Sequence, residues 1–188
     1  MLQPTNSWQW QYAESEDELR LDLDATMAFS TAYRKKHLTQ EIFRDSQFSI
    51  EDAHFYQFIC VQLQSLNLYS DAQIVQIALN ATAVQRFFKP TMPKSWYFKE
   101  NQLMNFNQGH GGASNQVSLG VGKACLLYTE DNVGQFLLVE CGDSASLCML
   151  LDESLALNDS KSLEQFEIIK VMNDRLFESV EVAALKYA

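Results

Sequence analysis

The sequence predicts an α+β protein, with a small antiparallel sheet and two helices in its first part and a mainly β second part. Three observations predict it. Apolar and polar residues alternate with strand period near the amino terminus; two serine-led capping signatures precede apolar runs further on; and short apolar runs separated by turn residues fill the chain after Gly122.

Trp8, Trp10 and Tyr12 alternate with polar residues, as do Leu19, Leu21 and Leu23, and the acidic cluster Glu14 to Glu18 lies between them as a turn. Met27 to Tyr33 is a candidate third strand, and Arg34, Lys35 and Lys36 close this unit on a solvated edge or helix end. Ser49 stands three residues before Asp52, and Ser70 three before Gln73, so helices are expected over roughly 50 to 66 and 71 to 88. In the second, Ile74, Ile77, Ala78, Ala81 and Val84 mark one face as core. Lys89-Pro90 stops it, because proline has no N–H to donate and restricts the residue before it.

Five of the seven glycines fall between Asn105 and Gly122, amid Asn, Gln and Ser, which predicts a mobile surface loop or a linker. Cys125 to Tyr128, Phe136 to Val139 and Leu147 to Leu151 then read as a meander of strands, continued by Phe166 to Met172 and Val180 to Val182. The expected division is 1–95, holding the helices, and 96–188, mainly strand.

A chain of 188 residues with 47% apolar and 12% aromatic side chains can bury a sizeable core without disulfide or metal. The amino terminus has no basic segment followed by an apolar run, and no stretch approaches a membrane span, so we expect a cytoplasmic protein with reduced thiols and no membrane insertion. The net charge of -10 argues against nucleic acid and anionic lipid as partners of the whole chain. Its distribution is uneven: between Ala72 and Lys99 there is no Asp or Glu, while Arg86, Lys89, Lys94 and Lys99 all lie there.

Catalytic chemistry has little support. Gly142-Asp143-Ser144-Ala145-Ser146 follows a strand as a hydrolase nucleophile elbow does, but Ser146 replaces the second glycine and no helix pattern follows. A small hydrolase or ligand-binding enzyme using the Gly142 to Ser144 turn is the alternative reading of function. Gly109-His110-Gly111-Gly112 lacks the strand, the capped helix and the Lys-Ser/Thr pair of a phosphate loop. His110, Cys125, Cys141 and Cys148 lack the close ligand pairs of structural zinc sites, so no metal and no cofactor are expected. The carboxylates sit in runs that read as a solvated face, and we assign no catalytic residue.

The segment Phe87 to Phe98 remains. Pro90 and Pro93 stiffen it, Trp96 and Phe98 offer apolar surface, and Lys89 and Lys94 flank that surface with positive charge. Such a segment suits a peptide that is acidic at its ends and apolar in its middle; the plainer alternative is that these aromatics fill the core.

Lys89 to Phe98, which reads Lys-Pro-x-Met-Pro-Lys-Ser-Trp-x-Phe, resembles the central signature of the ZapC family of Z-ring-associated proteins. Trp8-x-Trp10, Leu21-Asp22-Leu23, Leu79-Asn80-Ala81, Val139-Glu140, Gly142, Ala145, Leu147-Cys148 and Leu150-Leu151 fall in register with it, as does Ile169-Lys170 followed by Met172 to Leu176. The likeness runs from Trp8 to Leu176, apart from Asn105 to Gly122.

The resemblance implies an α/β amino-terminal region joined to a twisted, β-barrel-like carboxyl-terminal region. It implies a cell-division protein that acts at the septum and binds FtsZ directly. Bundling of protofilaments and reduced GTPase turnover would follow, from a monomer or weak homodimer and without a cofactor. It also places Leu21 and Lys89 at positions matching the family's implicated surface. Arg86, Lys94 and Trp96 join them as partner-binding candidates by proximity in sequence and chemical type.

Overall fold

The computed structural model describes residues 2–39, 46–88, 120–129 and 132–178. The chain divides into two compact units, Met1–Lys89 and Pro90–Ala188. The first holds strands β1 (Gln9–Ala13), β2 (Glu18–Asp22), β3 (Ala28–Ser30) and β4 (Ser46–Gln47), a 3-10 turn (Lys35–His37), and helices α1 (Ile50–Leu66) and α2 (Asp71–Phe87).

Its four strands form one antiparallel sheet in the order β3-β2-β1-β4. The register sets Trp10 opposite Leu21 and Leu21 opposite Phe29. Because side chains alternate across a strand, Trp8, Trp10, Leu19 and Leu21 share the buried face. Trp8 meets Phe48 and Tyr56 edge-on, and Trp10 meets Phe87 edge-on at 5.5 Å, so an aromatic layer joins the sheet to both helices.

Both helices begin where the capping signatures place them. Ser49 Oγ accepts the N–H of Asp52 at 3.1 Å while the Asp52 carboxylate accepts the N–H of Ser49 at 2.8 Å, and Ser70 and Gln73 repeat this box on α2. Asn67 ends α1 in the left-handed region at φ 55°. The predicted core face of α2 is buried throughout, at Ile74, Ile77, Ala78, Ala81 and Val84. Buried Asn80 accepts the backbone N–H of Ala32 at 2.9 Å, tying the chain beyond β3 to the middle of α2.

The second unit contains β5 (Ala124–Tyr128), β6 (Val133–Cys141), β7 (Ala145–Leu150), β8 (Ser154–Asn158), β9 (Lys161–Glu164), β10 (Ile168–Met172) and β11 (Leu176–Glu178). It is strongly β, as expected, but among the described residues it is not a closed barrel. Five strands form an open antiparallel sheet in the order β10-β7-β6-β5-β11, and β8 and β9 form a separate hairpin. Closure would need a ladder between the edge strands β10 and β11; β10 instead pairs with β7 and β11 with β5.

The sheet is nevertheless curled. A 3-10 turn, Asn173–Arg175, links its two edge strands, and a link of that length reaches at most about 14 Å. Four strand spacings laid flat measure about 19 Å. A register shift between Leu138 and Glu140 adds local bending. The core between the sheet and the β8–β9 hairpin contains Cys125, Phe136, Leu138, Cys148, Leu150, Leu155, Leu163 and Leu176. The hairpin approaches so closely that a Cβ on Gly134 would lie 2.5 Å from Leu155 Cδ2. Most of the Gly/Asn-rich stretch and the expected strand Val180 to Val182 lie outside the described residues.

Candidate partner-binding surface

The sequence-derived candidates separate into three groups. Leu21 is fully buried in the centre of the first sheet, between Trp10 and Phe29 on the neighbouring strands. Its side chain therefore has its place in the core of the first unit. The pattern that marks Leu19, Leu21 and Leu23 as one face is satisfied by packing that face on the helices.

Arg86 lies in the last turn of α2 and forms an ion pair with Asp52, the third residue of α1. The Arg86 side chain keeps 27% of its exposure and that of Asp52 only 3%, so the pair has one foot in solvent and one in the core. The same carboxylate oxygen accepts the indole N–H of Trp10 at 3.2 Å and the backbone N–H of Ser49. Burial raises the Asp52 pKa above the ordinary carboxylate value, against the opposing pull of the Ser49 N–H, the Arg86 charge and the Trp10 N–H. Arg86 also lies over the ring of Phe87, 5.3 Å from its centroid. Its first role is thus to hold β1, α1 and α2 together. Lys89, Lys94 and Trp96 lie outside the described residues.

The chain leaves α2 at a defined place. Thr39 donates its backbone N–H to Phe87 at 2.7 Å, and Leu38 and Phe88 form an antiparallel bridge. The Phe88 ring stacks on His37, with centroids 6.2 Å apart and planes 12° from parallel, and Tyr33 meets it edge-on at 6.0 Å. The exposed residues Arg34, Lys35 and Lys36 are part of the same corner. The sequence alone marks this run as a solvated edge or helix end and Asp52 as a capping residue. The capping signature was visible, but nothing local announced Trp10 or Arg86 as further partners.

The Gly142 to Ser144 turn connects β6 to β7, so the context is strand, turn, strand, without the helix that a nucleophile elbow needs. Asn173 clamps it: its backbone N–H reaches Ser144 O at 2.9 Å, its side-chain N–H donates to Gly142 O, and its Oδ1 accepts from Ser146 Oγ at 2.8 Å. The cysteine thiols Cys60 and Cys141 are pushed up by burial to about 11 and about 12, and Cys148 is raised by its hydrogen bond with Cys125 and by burial. Those three remain protonated, and hence weak nucleophiles, near neutral pH. No helix among the described residues is long and apolar enough to cross a membrane.

Comparison with known proteins covers both units. The family described as cell-division protein ZapC, N-terminal, matches residues 1–89, and its counterpart, cell-division protein ZapC, C-terminal, matches residues 90–182. A protein of Shewanella woodyi named cell division protein ZapC is 41% identical, across 94% of this chain and 91% of its own. Proteins of the same name from Pseudoalteromonas translucida and Aliivibrio salmonicida are each 36% identical, across 94% and 100% of this chain and 93% and 98% of their own. With both units matched and relatives aligned over nearly their whole length, the chain belongs to the ZapC family of cell-division proteins.

Proposed function

We propose that this protein binds FtsZ directly in the cytoplasm at midcell, holds its protofilaments together as bundles and slows their GTPase turnover, without being an enzyme itself. The observation that carries the reading is the family match over residues 1–89 and 90–182. The acid-free stretch from Ala72 to Lys99 supports it chemically, because the carboxyl-terminal tail of FtsZ is expected to be acidic and partly apolar. Lys89, Lys94 and Trp96 remain the proposed contacts from that stretch, with Arg86 at the rim and Leu21 supporting the surface from within the core.

Bundling requires either two FtsZ-binding surfaces on one monomer or a weak symmetric dimer with one surface on each copy. Sedimentation of the purified protein with FtsZ and GTP tests the reading. Co-pelleting, thicker filaments and reduced phosphate release are expected; a protein that stays in the supernatant and leaves the filaments single refutes it. Reversing Lys89 to Glu is expected to weaken binding more than Lys89→Ala, and the difference should shrink as salt rises.

A further inference from the structure

The first sheet ends in a strand whose outer side is open. Among the described residues β3 pairs only with β2, with Leu21 opposite Phe29. Met27 O accepts the Leu23 N–H at 2.9 Å, and Thr31 donates its N–H to Leu19 O at 3.0 Å. Hydrogen bonding alternates along an antiparallel strand, so Ala28 and Ser30, on either side of Phe29, aim their N–H and C=O groups away from β2. Both residues are exposed. Sheet edges are ordinarily blunted by charge, proline or a bulge, yet Thr26 to Ser30 contains no charged residue and no proline.

A cleft opens beside Phe29. Because side chains alternate, Phe29 shares the helix-facing side of the sheet with buried Leu21, whereas Ala28 and Ser30 face the other way. Half-buried Phe29 forms one wall of a cleft of about 490 Å³, whose other lining residues are Leu2, Asp71, Ala72, Val75 and Gln76. Leu2 is fixed in place, since its carbonyl accepts the Tyr56 hydroxyl at 3.0 Å, and the Ser70–Gln73 cap sets the first turn of α2. The lining includes a carboxylate and no cation. A second carboxylate, exposed Asp24, stands in the turn before β3, where the backbone N–H and the hydroxyl of Thr26 hold it below its ordinary pKa.

We propose that β3 is a docking edge for an extended, cationic segment of a partner protein, which adds a strand to the first sheet and seats an apolar side chain in the cleft beside Phe29. The outward groups of Ala28 and Ser30 recognise main chain in the extended form. Side chains of the added strand alternate, so one that falls beside Phe29 enters the cleft while its neighbours, lysine or arginine, point to the other face. Charge selects the occupant: Asp24, Asp71 and the net charge of -10 favour a cationic segment and oppose an acidic one. A second copy of this chain would bring the same carboxylates to the edge. The docking edge is thus separate from the proposed FtsZ contacts, which suit an acidic partner.

The test uses the whole protein and a short synthetic peptide that alternates valine and leucine with lysine, read by fluorescence anisotropy and by amide hydrogen exchange. The peptide is expected to bind and to slow exchange at the Ala28 and Ser30 amides. Methylating its backbone nitrogens removes the donors and keeps the charge, and should abolish that protection. Glutamate in place of its lysines should weaken binding about tenfold or more at low salt, with a smaller gap at high salt. Val75→Lys, which puts a cation in the cleft, should also weaken binding about tenfold with circular dichroism unchanged. Ser30→Pro removes one edge donor where proline is tolerated and should do the same, so failure of one variant to fold leaves the other. Unaltered exchange at Ala28 and Ser30 under saturating peptide overturns the proposal, as does equal binding of the methylated or the glutamate peptide, or wild-type affinity in a folded variant. Protection of the same amides by raising the protein concentration, with a dimer in sedimentation, assigns the edge to a second copy and also overturns it.

Discussion

Arg86, in the last turn of α2, and Trp10, in the middle of β1, donate to the same oxygen of Asp52, in the first turn of α1. One buried carboxylate thus fixes the two helices and the sheet to one another. Arg86→Met leaves that carboxylate without its cation, and removal of one partner from a buried pair costs about 3–5 kcal/mol. Discounting for the partial exposure of Arg86, we expect a loss at the lower end of that range or below it in urea unfolding near neutral pH. An unchanged midpoint would show that the pair contributes nothing to stability.

The loss in Arg86→Met should depend on pH. Asp52 already has a folded-state pKa above its unfolded value of 3.8, so its contribution to stability is present below that value and is lost as pH rises through the folded pKa. Arg86 lowers the Asp52 pKa, so its removal raises that pKa further and widens the window. The stability gap between wild type and variant should therefore grow as pH rises above 3.8 and shrink toward and below it. Melting both proteins across that range measures it; a gap independent of pH would mean that Arg86 acts by packing on Phe87 alone.

Gly134 gives way to the hairpin above it. Gly134→Ala would bring a methyl group within 2.5 Å of Leu155 Cδ2, and Leu155 is buried in the core with little room to turn. Overpacking of this kind costs about 1–3 kcal/mol. The expected result is a lower melting temperature; pairing it with Leu155→Ala should recover part of the Gly134→Ala loss.

Asn173 and Ser144 should respond differently. Asn173→Ala removes the side-chain bonds to Gly142 O and Ser146 Oγ, and Ser146 is buried, so a loss of about 1–3 kcal/mol is expected. Ser144→Ala leaves the backbone carbonyl that accepts from Asn173 in place, and both stability and FtsZ co-pelleting should remain at wild-type level. A Ser144→Ala protein that folds and pellets normally but loses a biological activity would revive the hydrolase reading.

Leu21→Ala tests the core assignment. Truncating a fully buried leucine costs about 2–5 kcal/mol, so the variant should melt early, and any loss of partner binding should track the fraction unfolded. Full stability combined with lost binding would return Leu21 to the surface.

The sequence by itself determined what lies within one turn or one strand. Ser49 with Asp52 and Ser70 with Gln73 place both helix starts, because capping is a contact between residues three apart. The alternation at Trp8, Trp10, Leu19 and Leu21 places two strands, and the family signature at Lys89 to Phe98 carries the family assignment. The hairpin of β8 and β9 escaped because its apolar residues are few, and it takes hold only by laying Leu155 and Leu163 on the larger sheet.

Tertiary structure decided which side of each pattern meets the core. Period two puts Leu19 and Leu21 on one face but does not say whether helices or solvent cover it; the two helices do. A cation near a helix end reads the same whether it waits for a partner or neutralises a buried acid, and only the approach of α1 to α2 pairs Arg86 with Asp52. Likewise, Arg34 to Lys36 become neighbours of the α2 exit only once Phe88 stacks on His37. The physical reason is common to all three. Propensity and capping act between neighbours in the chain, whereas burial, ion pairing and ring stacking are set by residues that meet only when the elements pack.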